Sequence, residues 1–212
     1  DRDPRLAATI IYPGCLYEGS YFNSIDIKDP TGDYYAPYGR SKTGYHPRKY
    51  IDNLSDYADM WNTGMNAIVM RYAEVLLMYA ESKIELGQID ESVYKALNDI
   101  RKRAGMLEVD RTVYNNQAKM RELVRRERRV ELAMEGLRWF DICRWRIAEE
   151  VMPGQVYGAL LGTVDAGTGA LNLTDERIKV EIRLFDPAKN YLWPIPQSVI
   201  DATPAIEQNP GY

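Results

Sequence analysis

Between about residues 66 and 86, Ile68, Tyr72, Val75, Leu76, Tyr79, Ala80 and Lys83 recur at three-to-four spacing, with Arg71, Glu74, Glu81 and Glu85 between them. That spacing predicts an amphipathic helix, and Gly87, able to take a left-handed conformation, ends it. Asp90 can accept from free backbone amides and so opens a second helix, whose positions Val93, Leu97, Ile100 and Ala104 make a single apolar stripe before Gly105 stops it. A loop this short forces the pair to pack antiparallel. A third, longer helix is expected from about Gln117 to Glu150, carrying Met120, Leu123, Val124, Val130, Leu132, Met134, Leu137 and Phe140. Beyond Pro153 a glycine-rich, hairpin-like stretch runs from Gly162 to Gly169. Ile178, Val180, Ile182 and Leu184 then alternate with Lys179, Glu181 and Arg183, the period of a strand. In the tail, Tyr191-Leu192-Trp193-Pro194-Ile195-Pro196, each proline pushes the residue before it out of the helical region. The segment is therefore extended, and its apolar side chains predict that it straps onto the helices.

The first 64 residues show no such period. Glycines and prolines interrupt them throughout, and only Ala8 to Tyr12 and Tyr45 to Ile51 have the β-branched and aromatic content of short strands. The chain thus divides into a loop-rich aromatic region (1–64), a helical core (66–150) and a hairpin with an extended C-terminal strap (151–212). From Ala80-Glu81 through Leu86-Gly87 to Ala96-Leu97 the helix pair resembles one tetratricopeptide unit, with small residues where helices cross. Such units need about three in a stack to bury a continuous core. The single pair is therefore expected to dock on the third helix and the loops, and to be the last unit of a stack lying upstream.

The run Arg125-Arg126-Glu127-Arg128-Arg129 has a plain reading as a solvated helix face. Arg128, Glu131, Glu135 and Arg138, however, step by three and four along one face, which sets two carboxylates between two guanidiniums. We read them as a partly buried ion network with Arg71, Glu74 and Glu81 as partners, since buried charges persist only when paired. This acid and base richness is structural, not catalytic.

Composition narrows the function. The 212 residues can bury roughly 70% of the unfolded surface. Lys plus Arg is 27 against 31 Asp plus Glu, a net charge of -4 that repels nucleic acid and anionic lipid. One histidine, His46, excludes zinc sites built on histidine pairs and leaves a Ser-His-Asp triad one possible base. Cys15 and Cys143 are too far apart in sequence for a local metal knuckle or redox pair and are read as unpaired. No run of about 18 apolar residues spans a bilayer, and no signal-peptide apolar region follows the opening residues. No cofactor or metal site is called for.

Aromatic residues mark a candidate ligand surface. Eleven of the 23 lie in the first 61 residues. Tyrosine and tryptophan planes can cover the C–H face of a sugar ring while neighbouring polar groups bond its hydroxyls. Tyr34, Tyr35 and Tyr38, clustered with Gly32, Asp33 and Gly39, are the first choice for ligand-binding residues, and Trp61 beside Asn62 is the next. The alternative is that these rings form a local core in a region poor in helices. Trp139 and Trp145 are expected to belong to the core.

Five ordered blocks resemble the SusD/RagB family of outer-membrane nutrient-binding lipoproteins, in its C-terminal portion. They are Asp3-Pro4-Arg5-Leu6-Ala7-Ala8-Thr9-Ile10, Arg71 through Glu81, Asn98 through Gly105, Glu127 through Asp141 with Arg144-Trp145, and Tyr191 through Pro196 with the closing Gln208-Asn209-Pro210-Gly211-Tyr212. The resemblance implies a mainly α fold on tetratricopeptide-like helices, with loop excursions and short β strands. It also implies non-catalytic binding of oligosaccharide or polysaccharide nutrients at the bacterial surface. Delivery to a TonB-dependent transporter of the SusC type would follow, with attachment to the outer membrane through a lipidated N-terminus outside this chain. The natural reading is that the chain belongs to a protein about twice as long. The family's blocks do not fix ligand contacts. The alternative is a tetratricopeptide-like protein-interaction scaffold with no small ligand of its own. A glycosidase would need paired carboxylates about 5 to 9 Å apart, and no local motif singles out a pair.

Overall fold

The computed structural model of the chain describes residues 2–35, 41–52 and 64–212. Helix α1 (Arg5–Thr9) leads into strand β1 (Ile10–Ile11), and β2 (Leu16–Tyr17) and β3 (Ser20–Tyr21) form a hairpin. A 3₁₀ turn covers Asp33–Tyr35, and β4 (His46–Pro47) returns antiparallel to β1. The helical part follows as α2 (Tyr72–Glu85), α3 (Glu91–Arg103), α4 (Gln117–Glu131), α5 (Arg138–Arg144) and α6 (Ala148–Val151). A long hairpin of β5 (Gly154–Val164) and β6 (Leu171–Arg183) precedes α7 (Gln197–Ala202). The fold is mainly α, as the sequence predicts, with short strands in the loop region beside this one long hairpin.

The helix pair forms where its punctuation lies. Gly87 and Gly105 take φ of 72° and 73° after α2 and α3, and the Asp90 carboxylate caps α3 by accepting from Ser92 N at 2.9 Å. Ala80 and Ala96, both buried, let the two helices approach closely. Leu77 and Ile84 of α2, Val93, Leu97 and Ile100 of α3, and Met120, Leu123 and Val124 of α4 complete the main core with Val109 and Leu132.

Two expectations for α2 change. It starts at Tyr72, with Arg71 extended at φ −141°, so 64–71 are not helical. The Arg71 guanidinium is held by Glu131 and Glu135, and this tertiary anchor sets the helix start in place of the local period. The buried stripe is also rotated: Leu77, Ala80, Glu81 and Ile84 face inward, while Tyr72, Val75 and Tyr79 are exposed. A helix with apolar residues on two sides satisfies the spacing rule twice, and the charge partners decide which side is buried.

The third helix is shorter than the apolar pattern predicts. α4 ends at Glu131, and Met134 and Gly136 follow in left-handed conformations, φ 65° and 78°. The expected run from Gln117 to Glu150 is therefore broken into α4, α5 and α6. Met134 and Phe140, expected in its apolar stripe, are exposed.

The hairpin is long but irregular, with register shifts between Val156 and Gly162. Its inner strand lies on the loop region: Ala159 N donates to Thr43 O (2.8 Å) and Gly162 N to Ile25 O (3.2 Å). A Cβ at Gly158 would lie 2.4 Å from Thr43 O, so only glycine fits there. The tail meets the helical part through Tyr191, whereas Leu192 and Trp193, expected to strap it down, are exposed. Ala148 N donates to the Tyr191 hydroxyl (3.1 Å), Phe185 packs edge-on against Tyr191 at 4.9 Å, and Trp139 lies 6.5 Å from Phe185. The closing residues zip onto the strap: Ile195 N donates to Gln208 Oε1 (2.8 Å) and Gln208 Nε2 returns a bond to Ile195 O (2.9 Å).

Candidate functional site

The acid and base residues of the helices form two clusters that fix the loop region on its base. In the first, Glu131, fully buried, accepts from Arg5 (3.1 Å), Arg71 (2.6 Å) and Arg103 (2.6 Å). Glu127 pairs with Arg5 (3.1 Å) and Arg101. Glu135 takes Arg71 (2.7 Å) and Lys49, and Lys49 Nζ also donates to the carbonyls of Glu131 and Ala133 at 3.3 and 3.2 Å. Burial pushes the Glu131 and Glu135 carboxyls up, but bonds from Arg71, with Arg5 or Lys49, outweigh it and hold both below the usual range. Arg5 comes from α1 and Lys49 from the loop after β4, so this cluster joins the loop region to α2, α3 and α4.

The second cluster contains Arg128, which donates to Asp141 (3.0 Å) and lies 3.6 Å from Glu81. Arg144 bridges the same two acids at 2.6 and 2.8 Å, and Trp145 Nε1 donates to Glu81 Oε1 at 2.6 Å. The expected column of Arg128, Glu131, Glu135 and Arg138 is thus divided, because the chain turns after Glu131. Arg71 and Glu81 are partners as expected, one in each cluster, but Glu74 is in neither. Arg138 joins neither acid pair: it sits near the Trp145 ring (5.8 Å), and burial, then the charge of Arg129, lowers its pKa. Trp145 is half-buried, flanked by guanidiniums, and works as a hydrogen-bond donor in the network.

On this base the loop region has a small core of its own, Ile11, Cys15 and Phe22, with Tyr12 and Tyr17 packed against it. His46 packs edge-on to Phe22 at 5.4 Å, a structural place for the lone imidazole, and both cysteines are free. Of the candidate ligand residues, Tyr34 and Tyr35 share the 3₁₀ turn, and Tyr34 is half-buried. Tyr38 and Trp61 lie outside the described residues. The turn is stitched by short polar bonds: Asn23 N donates to Asp33 Oδ2 (2.7 Å), Asn23 Nδ2 to Asp29 Oδ2 (3.2 Å), and Tyr34 N to Asn23 O (3.2 Å).

Two concave surfaces border this region. A cleft of about 880 Å³ runs between α1, β1 and the long hairpin, lined by Leu6, Ile10, Tyr12, Tyr45, Leu160, Leu173 and Arg177 among others. A second, more polar hollow of about 640 Å³ lies at the β2–β3 hairpin, lined by Leu16, Tyr17, Glu18, Gly19, Arg48, Ile51 and Asp52. Burial, then the Glu18 charge, raises the Tyr17 hydroxyl above its ordinary range. Asp52 Oδ2 is covered and finds no donor among the described residues. Glu18 and Gly19 form a two-residue hairpin loop with φ 48° and 81°. This is the type I′ geometry, which Asn, Asp or Gly fills at lower cost than Glu by about 1 kcal/mol. In the sequence Tyr17 is one of the eleven rings of the first 61 residues, and the local signal for this hollow is Glu-Gly where a hairpin asks for Asn-Gly. Among the described residues no group of three or more His, Cys, Asp or Glu is placed to hold a metal ion, and no helix is long and apolar enough to cross a membrane.

Comparison with known proteins gives one consistent answer. A family model described as the SusD family matches residues 1–212. A SusD-like protein of Formosa agariphila is 31% identical over 153 residues, 69% of this chain and 25% of that protein. A SusD-like protein of Bacteroides ovatus is 29% identical over 60% of this chain and 22% of its own length. Among solved structures, a SusD-like carbohydrate binding protein from Bacteroides fragilis superposes with a TM-score of 0.79 at 35% identity, covering 98% of this chain and 42% of that one. The chain thus spans about a quarter of the curated relatives it matches and under half of that structure.

Proposed function

Since the chain belongs to the SusD family, we propose that it is part of a non-catalytic binding protein that captures oligosaccharide or polysaccharide at the bacterial outer-membrane surface. It delivers the glycan to a TonB-dependent transporter of the SusC type. The observation that carries this reading is the loop region itself: tyrosine-bearing turns, knit by short polar bonds, set on a helical base by Arg5 and Lys49. Rigid support under polar and aromatic side chains suits recognition of sugar rings. The aromatic contacts we assign are Tyr34, Tyr35, Tyr38 and Trp61. The solved Bacteroides fragilis relative described as carbohydrate binding supports the ligand class.

The scaffold reading has one observation in its favour, the exposed apolar face Tyr72, Val75 and Tyr79 on α2. Affinity-gel electrophoresis and a glycan array separate the two. Retardation by a polysaccharide, lost in Tyr34→Ala plus Tyr35→Ala, is the expected result. Copurification of a transporter with a protein that binds no glycan overturns it in favour of the scaffold, and release of reducing sugar from any glycan overturns the non-catalytic assignment.

A further inference from the structure

The hollow at the β2–β3 hairpin is separate from the Tyr34–Tyr35 turn in sequence and in lining. Four side chains give it its chemistry. Tyr17 is half-buried against the small core, so its ring is held in place. Arg48 is exposed, and its one side-chain hydrogen bond among the described residues goes to Ala7 O at 3.2 Å. Its guanidinium keeps further donors for a ligand. Glu18 is exposed at the hairpin tip, and Asp52 is half-buried in the wall of the hollow, with one carboxylate oxygen covered and without a donor among the described residues. Leu16 and Ile51, both exposed, supply apolar wall.

We propose that this hollow is a binding subsite for a neutral sugar unit: Tyr17 covers a C–H face of the ring, and Asp52, Glu18 and Arg48 hold its hydroxyls. The reasoning rests on the glycan-capture reading and names a position and a charge class for it. A volume of about 640 Å³ lies inside the ~300–1,000 Å³ range of small-ligand sites. An aromatic plane beside carboxylate and guanidinium groups is what a sugar ring demands, with one apolar face and a rim of paired hydroxyls that each accept and donate. Two acids stand against one base here, so the local charge is negative. That selects neutral sugars over uronates and sulfated units, whose anions would meet Glu18 and Asp52. Glu18 occupies a left-handed position (φ 48°) that glycine fills better, so its side chain can be removed without strain to the turn.

The test is a glycan array carrying neutral, uronate and sulfated oligosaccharides, read with the full chain and with Glu18→Gly, Asp52→Asn and Tyr17→Ala. Glu18→Gly suits the turn, so its thermal midpoint is expected unchanged or higher while binding of neutral glycans weakens roughly tenfold. Asp52→Asn should weaken binding similarly, with Tyr17→Ala as a third readout where it folds. Neutral-glycan binding that survives both Glu18→Gly and Asp52→Asn but falls in Tyr34→Ala plus Tyr35→Ala overturns this subsite and leaves glycan capture standing. Binding confined to acidic glycans overturns the charge class. Absence of binding to any glycan overturns both proposals.

Discussion

Replacing Glu131 with alanine tests whether the charge clusters hold the fold together. The side chain is 1% exposed and is shared by Arg5, Arg71 and Arg103. Alanine does not strand these arginines altogether. Arg5 keeps Asp3 and Glu127, Arg71 keeps Glu135, and Arg103, 62% exposed, turns to water. The loss therefore falls at the low end of the range for breaking a buried pair, about 3 kcal/mol. In a chain of this size that lowers the melting midpoint by roughly 6–12 °C. Urea titration followed by tryptophan fluorescence reads the free energy. Glu122→Ala, an exposed pair with Lys119, is the control and should lose less than about 1 kcal/mol. If Glu131→Ala loses as little as the control, the network is a solvated surface and the reasoning fails. The pH profile is a second reading. Glu131 and Glu135 are held below their ordinary value of 4.5 by their basic partners. They bind fewer protons folded than unfolded, so their stabilisation is complete above about pH 4.5 and is lost as pH falls through the depressed folded values. Stability should be level from neutrality to about pH 5 and then decline, less steeply in Glu131→Ala. A rise on acidification would contradict the assignment.

Three further outcomes follow from single contacts. Met134→Gly removes a left-handed non-glycine residue (φ 65°) that is half exposed, so chemical denaturation should show a gain of up to about 1 kcal/mol. Trp145→Phe deletes the indole donor to buried Glu81 (2.6 Å) and should cost about 1–3 kcal/mol in the same titration. Gly158→Ala puts a methyl 2.4 Å from Thr43 O and forces the hairpin off the loop region; a loss of about 1–3 kcal/mol is expected, with faster hydrogen exchange at Ala159 N.

The parts of the fold legible in the sequence are those set by local rules. Gly87, Asp90 and Gly105 bound the helix pair to within a residue or so, because capping and left-handed turns depend on neighbouring backbone alone. Ile178, Val180 and Ile182 of the alternation fall in β6 for the same reason, while Leu184 lies just past its end. Legibility fails where a distant partner decides. The start of α2 is set by Arg71 reaching Glu131 and Glu135, some 60 residues on. The break after α4 is set at Met134-Glu135-Gly136, where methionine carries no turn signal and the apolar pattern continues past it. The candidate site was legible only as a density of tyrosines. Tyr17, Arg48 and Asp52 meet because β1 pairs with β4 and Lys49 is anchored on Glu135, neither of which is written in local spacing.

That anchoring explains why charge, not apolar area, joins the two parts of the molecule. The loop segments are too short and too interrupted by glycine and proline to present an apolar stripe to the helices, and two-residue strands bury little surface. Long basic side chains can bridge from such segments into a helix end. Arg5 reaches Glu127 and Glu131, and Lys49 reaches Glu135 with the carbonyls of Glu131 and Ala133, at and just past the end of α4. Such bonds are directional, so they fix position where hydrophobic packing would allow sliding. Arg48 and Asp52 stand on the segment that Lys49 anchors, and the amides of Arg48 and Lys49 both donate to Thr9 O. The buried ions therefore bear directly on the geometry of the hollow. Lys49→Met, which keeps the stem and drops the charge, should weaken glycan binding more than its modest cost in stability accounts for. Equal affinity at unchanged stability would show that the loop holds its shape without the helices.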